Sequence, residues 1–138
     1  KEWFRHLKNV LRDSKSYIYF FRFKINDKNI TFRFLEILVN IRSYIFKKPY
    51  GDQGLIIHSK NYFENKGFKK IPLMEDLEFI TRLNKTNLKQ LNFPIYTSSR
   101  KWSGTNIIFN SFKNWNFRRR WLKGESIESI YLDYYKNN

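Results

Sequence analysis

Cysteine and alanine are both absent from the 138 residues, valine occurs only twice, and there are three prolines and five glycines. Without cysteine there is no disulfide framework and no thiolate metal site. No apolar run approaches the roughly 20 residues that a membrane-spanning helix needs. No signal-peptide core follows the first residues. The opening Lys1-Glu2-Trp3-Phe4-Arg5 lacks an initiator methionine, so the expectation is a chain that starts partway through something longer. Acids are scarce as well: 12 Asp and Glu stand against 27 Lys and Arg, a net charge of +15.

What is present argues for one folded domain. Hydrophobic residues make up 41% of the chain and aromatics 20%, enough to build a core and to exclude global disorder. The positive excess suits nucleic acid, an anionic membrane or a phosphorylated substrate. A second cause competes, because the abundant Lys, Asn, Ile, Phe and Tyr all have AT-rich codons. The placement of the acids says more than their number. Phe79 to Gly124 contains no Asp or Glu but ten Lys and Arg, whereas Glu75, Asp76 and Glu78 crowd together just before it. Acids so placed suit a helix N-terminus, where free N–H groups favour an anion, and equally suit a site that requires a carboxylate.

Periodicity places these residues on elements. Lys1 to Asp13 reads as an amphipathic helix, and Ser16 to Asn26 as a strand with a partly covered second face. Asn26 to Asn29 is a turn, and Ile30 to Phe46 returns apolar residues at helical spacing, Phe34, Leu38, Ile41 and Ile45 among them. A loop through Pro49 and Gly51 leads to a short strand, Gln53 to His58. Ser59 is the expected N-cap of a short helix ending at Gly67. Leu73 to Asn84 is a helix with Leu77, Ile80 and Leu83 inward. Leu88 to Tyr96 is a strand that Pro94 assigns to an edge or an end. Thr105 to Lys123 is a long basic helix, and Ile127 to Tyr135 a last short one. The alternation defines an α/β chain.

Four motifs in order then resemble one family: Pro49-Tyr50-Gly51-Asp52-Gln53-Gly54, Lys66-Gly67-Phe68, Ile71-Pro72-Leu73-Met74-Glu75-Asp76, and Thr97-Ser98-Ser99-Arg100-Lys101-Trp102. Together they are similar to the C-terminal half of family 2 glycosyltransferases, in particular the radical-SAM/selenodomain-associated transferase 2 subgroup. The resemblance implies a GT-A, Rossmann-like fold, of which residues 1–138 would be the acceptor-side half, a single partial domain without its N-terminal nucleotide-binding half. It implies inverting transfer from a nucleotide-sugar donor to an acceptor hydroxyl. Asp76 would be the base, with Glu75 beside it orienting the acceptor or the base. Gly51, Asp52 and Gln53 would line the sugar and acceptor cleft. Arg100 would meet diphosphate oxygens while Trp102 packs on a sugar face.

The chain also departs from that family. No Asp-x-Asp occurs, and His6 and His58 are too far apart in sequence to suggest a local metal site. The Mg or Mn ion of a full-length enzyme would have its ligands in the missing half, with none here. The isolated chain is expected to be inactive, and to carry an unpaired strand edge and an uncovered apolar patch drawn from the strands Tyr17 to Ile25 and Gln53 to His58 and the helices beside them. The expected location is cytoplasmic, peripheral to the membrane. The 105–123 helix, with Ile108, Phe112 and Trp115 on one face and Arg118, Arg119 and Arg120 near its end, has two readings: an ordinary packed helix with solvated arginines, or an interfacial helix whose partner is an anionic membrane surface. The competing function is a basic module that binds nucleic acid or anionic membrane without catalysis. No nucleic-acid motif supports a specific form of it.

Overall fold

The computed structural model describes residues 4–5, 7–8, 17–102 and 107–136. Most of the first expected helix lies outside them, although Phe4, Arg5, Leu7 and Lys8 are helical. Among the described residues the chain is a mixed α/β domain around a three-stranded sheet. The elements are β1 (Ile18–Ile25), α1 (Ile30–Ile45), β2 (Leu55–Ile56), α2 (Ser59–Glu64), α3 (Glu75–Arg82), β3 (Leu88–Thr97), α4 (Ile107–Leu122) and α5 (Ile127–Lys136).

The β-branched and aromatic residues of β1 suit a central strand, and the sheet order is β2-β1-β3. β2 pairs with β1 antiparallel and β3 pairs with it parallel. Alternation sends side chains of β1 to two faces. Ile18 and Phe20 pack with Phe79, Ile80 and Leu83 of the α3 segment and with Leu88, while Phe23 and Ile25 pack with Phe32 and Val39 of α1. The expected second covered face is therefore real at the start of the strand and ends at the exposed Arg22.

β3 is an edge strand, as Pro94 indicates. Phe20 is opposite Gln90 and Arg22 is opposite Pro94, so β3 bulges between the two. Proline, which has no N–H to give to a ladder, is tolerated at such a place.

The other edge of β1 is closed by side chains instead of a strand. β2 covers only Tyr19 and Phe20. Beyond it, Gln53 Nε2 donates to the Phe21 carbonyl at 3.3 Å. Asn40 accepts from the Phe23 N–H at 2.9 Å and donates to the Phe23 carbonyl at 3.0 Å. Glu36 Oε1 accepts from the Ile25 N–H at 2.6 Å. Glu36 and Asn40 are one helical turn apart, so both reach the same strand from α1. Arg33 donates to the second Glu36 oxygen at 2.7 Å, which neutralises the buried carboxylate.

This arrangement turns α1 over. Its buried positions are Phe32, Glu36, Val39 and Ser43, while Phe34, Leu38, Ile41 and Ile45 are exposed. An exposed apolar stripe lies on the outer side of α1, whereas β1, a strand expected to contribute to an uncovered patch, is mostly buried.

Two further expectations change. The strand expected from Gln53 to His58 shortens to Leu55–Ile56, because Gly51–Gln53 forms a 3-10 turn whose Gln53 is drawn fully inside. The cap of α2 is His58, whose Nδ1 accepts from the Lys60 N–H at 3.2 Å, so Ser59 is the first helical residue.

Candidate functional site

The Pro49-to-Gly54 loop and the start of α3 meet in space. Gly51 donates its N–H to Asp76 Oδ2 at 2.6 Å, and the Leu77 N–H donates to Asp76 Oδ1 at 2.6 Å. Asp76 is the second residue of α3, where backbone donors lack intrahelical partners. One carboxylate thus satisfies a helix-end amide and pins a loop 25 residues away. A Cβ on Gly51 would stand 3.2 Å from Asp76 Oδ2, so the absence of a side chain there permits the close approach.

α3 has no side-chain cap hydrogen bond from its N-cap residue, Met74, which adopts the left-handed conformation at φ 63°. A non-glycine residue held there stores backbone strain, a feature that collects at functional sites. Leu77, Glu78, Phe79 and Ile80 are buried behind it. Burial works against the Glu78 charge, but Arg82 and Lys69 donate to it and hold its carboxyl below the usual glutamate range. Arg82 also donates to the carbonyls of Asn65 and Gly67, tying α3 to the end of α2.

That junction explains the Lys66-Gly67-Phe68 motif. A Cβ on Gly67 would lie 2.7 Å from the Tyr62 ring, and the residue has φ +54°. Phe68 packs against Phe79 with ring centroids 4.9 Å apart. Lys66 itself sits at φ 58°, a conformation glycine adopts without cost.

Above the Asp76 clip is an open cleft of about 600 Å³. Tyr50 and Asp52 line it from the loop, and Leu73, Met74, Glu75, Asp76 and Leu77 from the start of α3. Asn110, Lys113, Asn114, Phe117 and Arg118 of α4 form another wall, with Tyr134 of α5 beside them. The cleft therefore has carboxylates on one side and cations on another. α4 and α5 are fastened by Arg120, which is hydrogen-bonded to Glu125 and to Asp133; these bonds raise its pKa above the usual arginine value, and Arg120 holds Glu125 below the carboxylate range.

The Tyr50 ring carries two guanidiniums: Arg42 Cζ is 3.8 Å and Arg118 Cζ 4.5 Å from its centroid. Burial lowers the Arg42 pKa and the Arg118 charge lowers it further, against the opposing pull of Tyr50, Asp52 and Asp76. Arg42 Nε is buried without a hydrogen-bond partner. Its other end reaches Gln53 Oε1 at 3.4 Å.

The expected site residues separate into groups. Asp52, Glu75 and Asp76 share the cleft. Gly51 acts through its backbone, and Gln53 is wholly buried on Ser43 and the Phe21 carbonyl, so its side chain shapes the loop from behind. Arg100 is exposed in the 3-10 turn Ser99–Trp102, with Nε 3.2 Å from Ser98 Oγ, and does not line the cleft. Trp102 closes the same turn, and its side chain lies outside the described residues. Arg118 and Lys113 were not expected at the cleft; Arg42 touches the Tyr50 ring but does not line the cleft. Tyr50 had a signal, its place inside the Pro-Tyr-Gly-Asp motif; the cations had none, because they come from distant helices.

Among the described residues no three His, Cys, Asp or Glu side chains gather as a metal site, and no helix is long and apolar enough to cross a membrane. The chain matches no protein-family model, no curated protein and no solved structure.

Proposed function

We propose that this chain is the acceptor side of an inverting glycosyltransferase of GT-A architecture, working in the cytoplasm. The observation that carries the reading is the Gly51–Asp76 hydrogen bond at the cleft. It joins two of the four motifs on which the resemblance rests, a meeting that unrelated short matches have no reason to make.

In this reading the acceptor hydroxyl enters between Asp76 and Asp52. A carboxylate offers about four lone-pair sites, and two amides occupy two of those of Asp76. A remaining one accepts the acceptor proton as the oxygen attacks the anomeric carbon. The new C–O bond forms while the bond to the diphosphate breaks, and the electron pair leaves with the diphosphate. Positive charge facing that leaving group comes from Arg118 and Lys113, which line the cleft. Among the described residues no three His, Cys, Asp or Glu side chains gather as a metal site; in this reading the ion and the donor nucleotide are held outside this chain.

The test is an amide-resolved NMR titration with simple saccharides and with nucleotide sugars. Saccharides are expected to move the Gly51, Asp76 and Leu77 resonances, and nucleotide sugars to add nothing with the isolated chain. Saccharides that leave all three unmoved would contradict the assignment.

A further inference from the structure

At about 100° per residue, Ile30, Phe34, Ile37, Leu38, Ile41, Tyr44 and Ile45 fall on one stripe of α1, roughly 120° wide. The buried Phe32, Glu36, Val39 and Ser43 lie on the opposite side. Every residue of the stripe is exposed, from 46% at Ile41 to 79% at Ile30, and Phe46 continues it past the helix end. Contiguous apolar surface beyond a few hundred Å² marks an interaction face. The polar groups that would ordinarily point outward from such a helix are used inward, where Glu36 and Asn40 close the edge of β1.

Charge selects the occupant. From Lys28 to Tyr50 the sole acid is Glu36, which is buried and paired with Arg33. Lys28 precedes the stripe, and Lys47 and Lys48 follow it. Lys47 Nζ lies 5.0 Å from the centroid of the Tyr44 ring. A second copy would bring another +15 to the contact. An anionic bilayer offers the opposite sign and takes apolar side chains to shallow depth along a helix lying flat.

We infer that the outer stripe of α1 docks on anionic lipid, with Phe34, Ile37, Ile41 and Ile45 entering the acyl boundary and Lys47 and Lys48 at headgroup level. The arginine cluster of α4, the surface suggested by sequence, is divided: Arg118 lies on Tyr50 and Arg120 is held by Glu125 and Asp133. The inference does not depend on glycosyl transfer.

The test is co-sedimentation of the full chain with vesicles of phosphatidylcholine alone and of phosphatidylcholine mixed with phosphatidylglycerol. Binding is expected for the mixed vesicles and is expected to weaken with salt. The double variant Phe34→Glu/Ile41→Glu, with unchanged circular dichroism, is expected to lose binding by on the order of ten-fold or more. Lys47→Gln/Lys48→Gln, which leaves the apolar stripe whole, is expected to lose part of the anionic preference. Phe112→Glu/Trp115→Glu on α4 is expected to bind as the parent does. Failure of the parent to bind mixed vesicles would overturn the inference, as would binding lost with the α4 variant and kept with the α1 variant. A parent that is dimeric in solution, with a monomeric Phe34→Glu/Ile41→Glu variant, would assign the stripe to a second copy instead.

Discussion

α1 and α3 are both amphipathic and both pack on β1, yet they face in opposite senses. α3 turns Leu77, Phe79 and Ile80 inward and presents Glu75 and Asp76 to a cleft. α1 turns Glu36 and Asn40 inward and presents its isoleucines and phenylalanines outward. The difference lies in what each helix meets. α3 covers a face of the sheet, where only side chains need partners. α1 runs along the part of β1 that β2 does not reach, where backbone N–H and C=O groups need them. An apolar stripe reveals a helix; it does not reveal which side of the helix is inside.

Truncating matched isoleucines would break this comparison most sharply. Ile80→Ala, in the α3 core, is expected to cost about 3 kcal/mol, while Ile37→Ala on the outer stripe of α1 should stay within about 0.5 kcal/mol. Urea unfolding of the two variants measures both. Similar costs would mean that α1 is covered on both sides.

The inward polar side of α1 is the next target. Glu36→Ala leaves the Ile25 N–H and the Arg33 guanidinium without this carboxylate, and a loss of about 2 kcal/mol is expected in the same unfolding assay. Asn40→Ala is expected to behave alike, with faster hydrogen exchange at Phe23.

The buried acid of α3 answers to pH. Its folded pKa is depressed, so the stability it contributes is complete at neutral pH. That contribution drains as pH falls through the ordinary glutamate range and is gone below the lower pKa of folded Glu78. Acid titrations of melting temperature should show a shallower decline for Glu78→Gln than for the parent. The smallest expected effect is a gain: Lys66→Gly should relieve the left-handed backbone by about 1 kcal/mol, seen as a higher urea midpoint.

Much of the frame was legible in sequence. Strand β1, the extents of α1 and α3 within two or three residues, and the edge position of β3 followed from period, turn residues and Pro94. The carboxylates at the cleft were legible too, because Asp52, Glu75 and Asp76 sit at loop-to-helix junctions. The inversion of α1 was not: nothing local says that Asn40 will satisfy a strand 17 residues away. Gln53 was unreadable for a similar reason, since its buried partners, Ser43 and the Phe21 carbonyl, come from two other elements. The cations at the cleft depend on how α4 crosses the loop at Tyr50, a tertiary fact without a sequence period.

The most direct measurement concerns Asp76 as proton acceptor. The chain is joined to a GT-A nucleotide-binding half, and release of nucleoside diphosphate is followed with acceptor present, for the parent and for Asp76→Asn. Asparagine keeps an oxygen for the Gly51 or Leu77 amide, so the fold should survive. The proposal predicts a fall in kcat of about a thousand-fold with donor affinity unchanged. Turnover that persists in Asp76→Asn, or donor affinity lost in step with kcat, would contradict it.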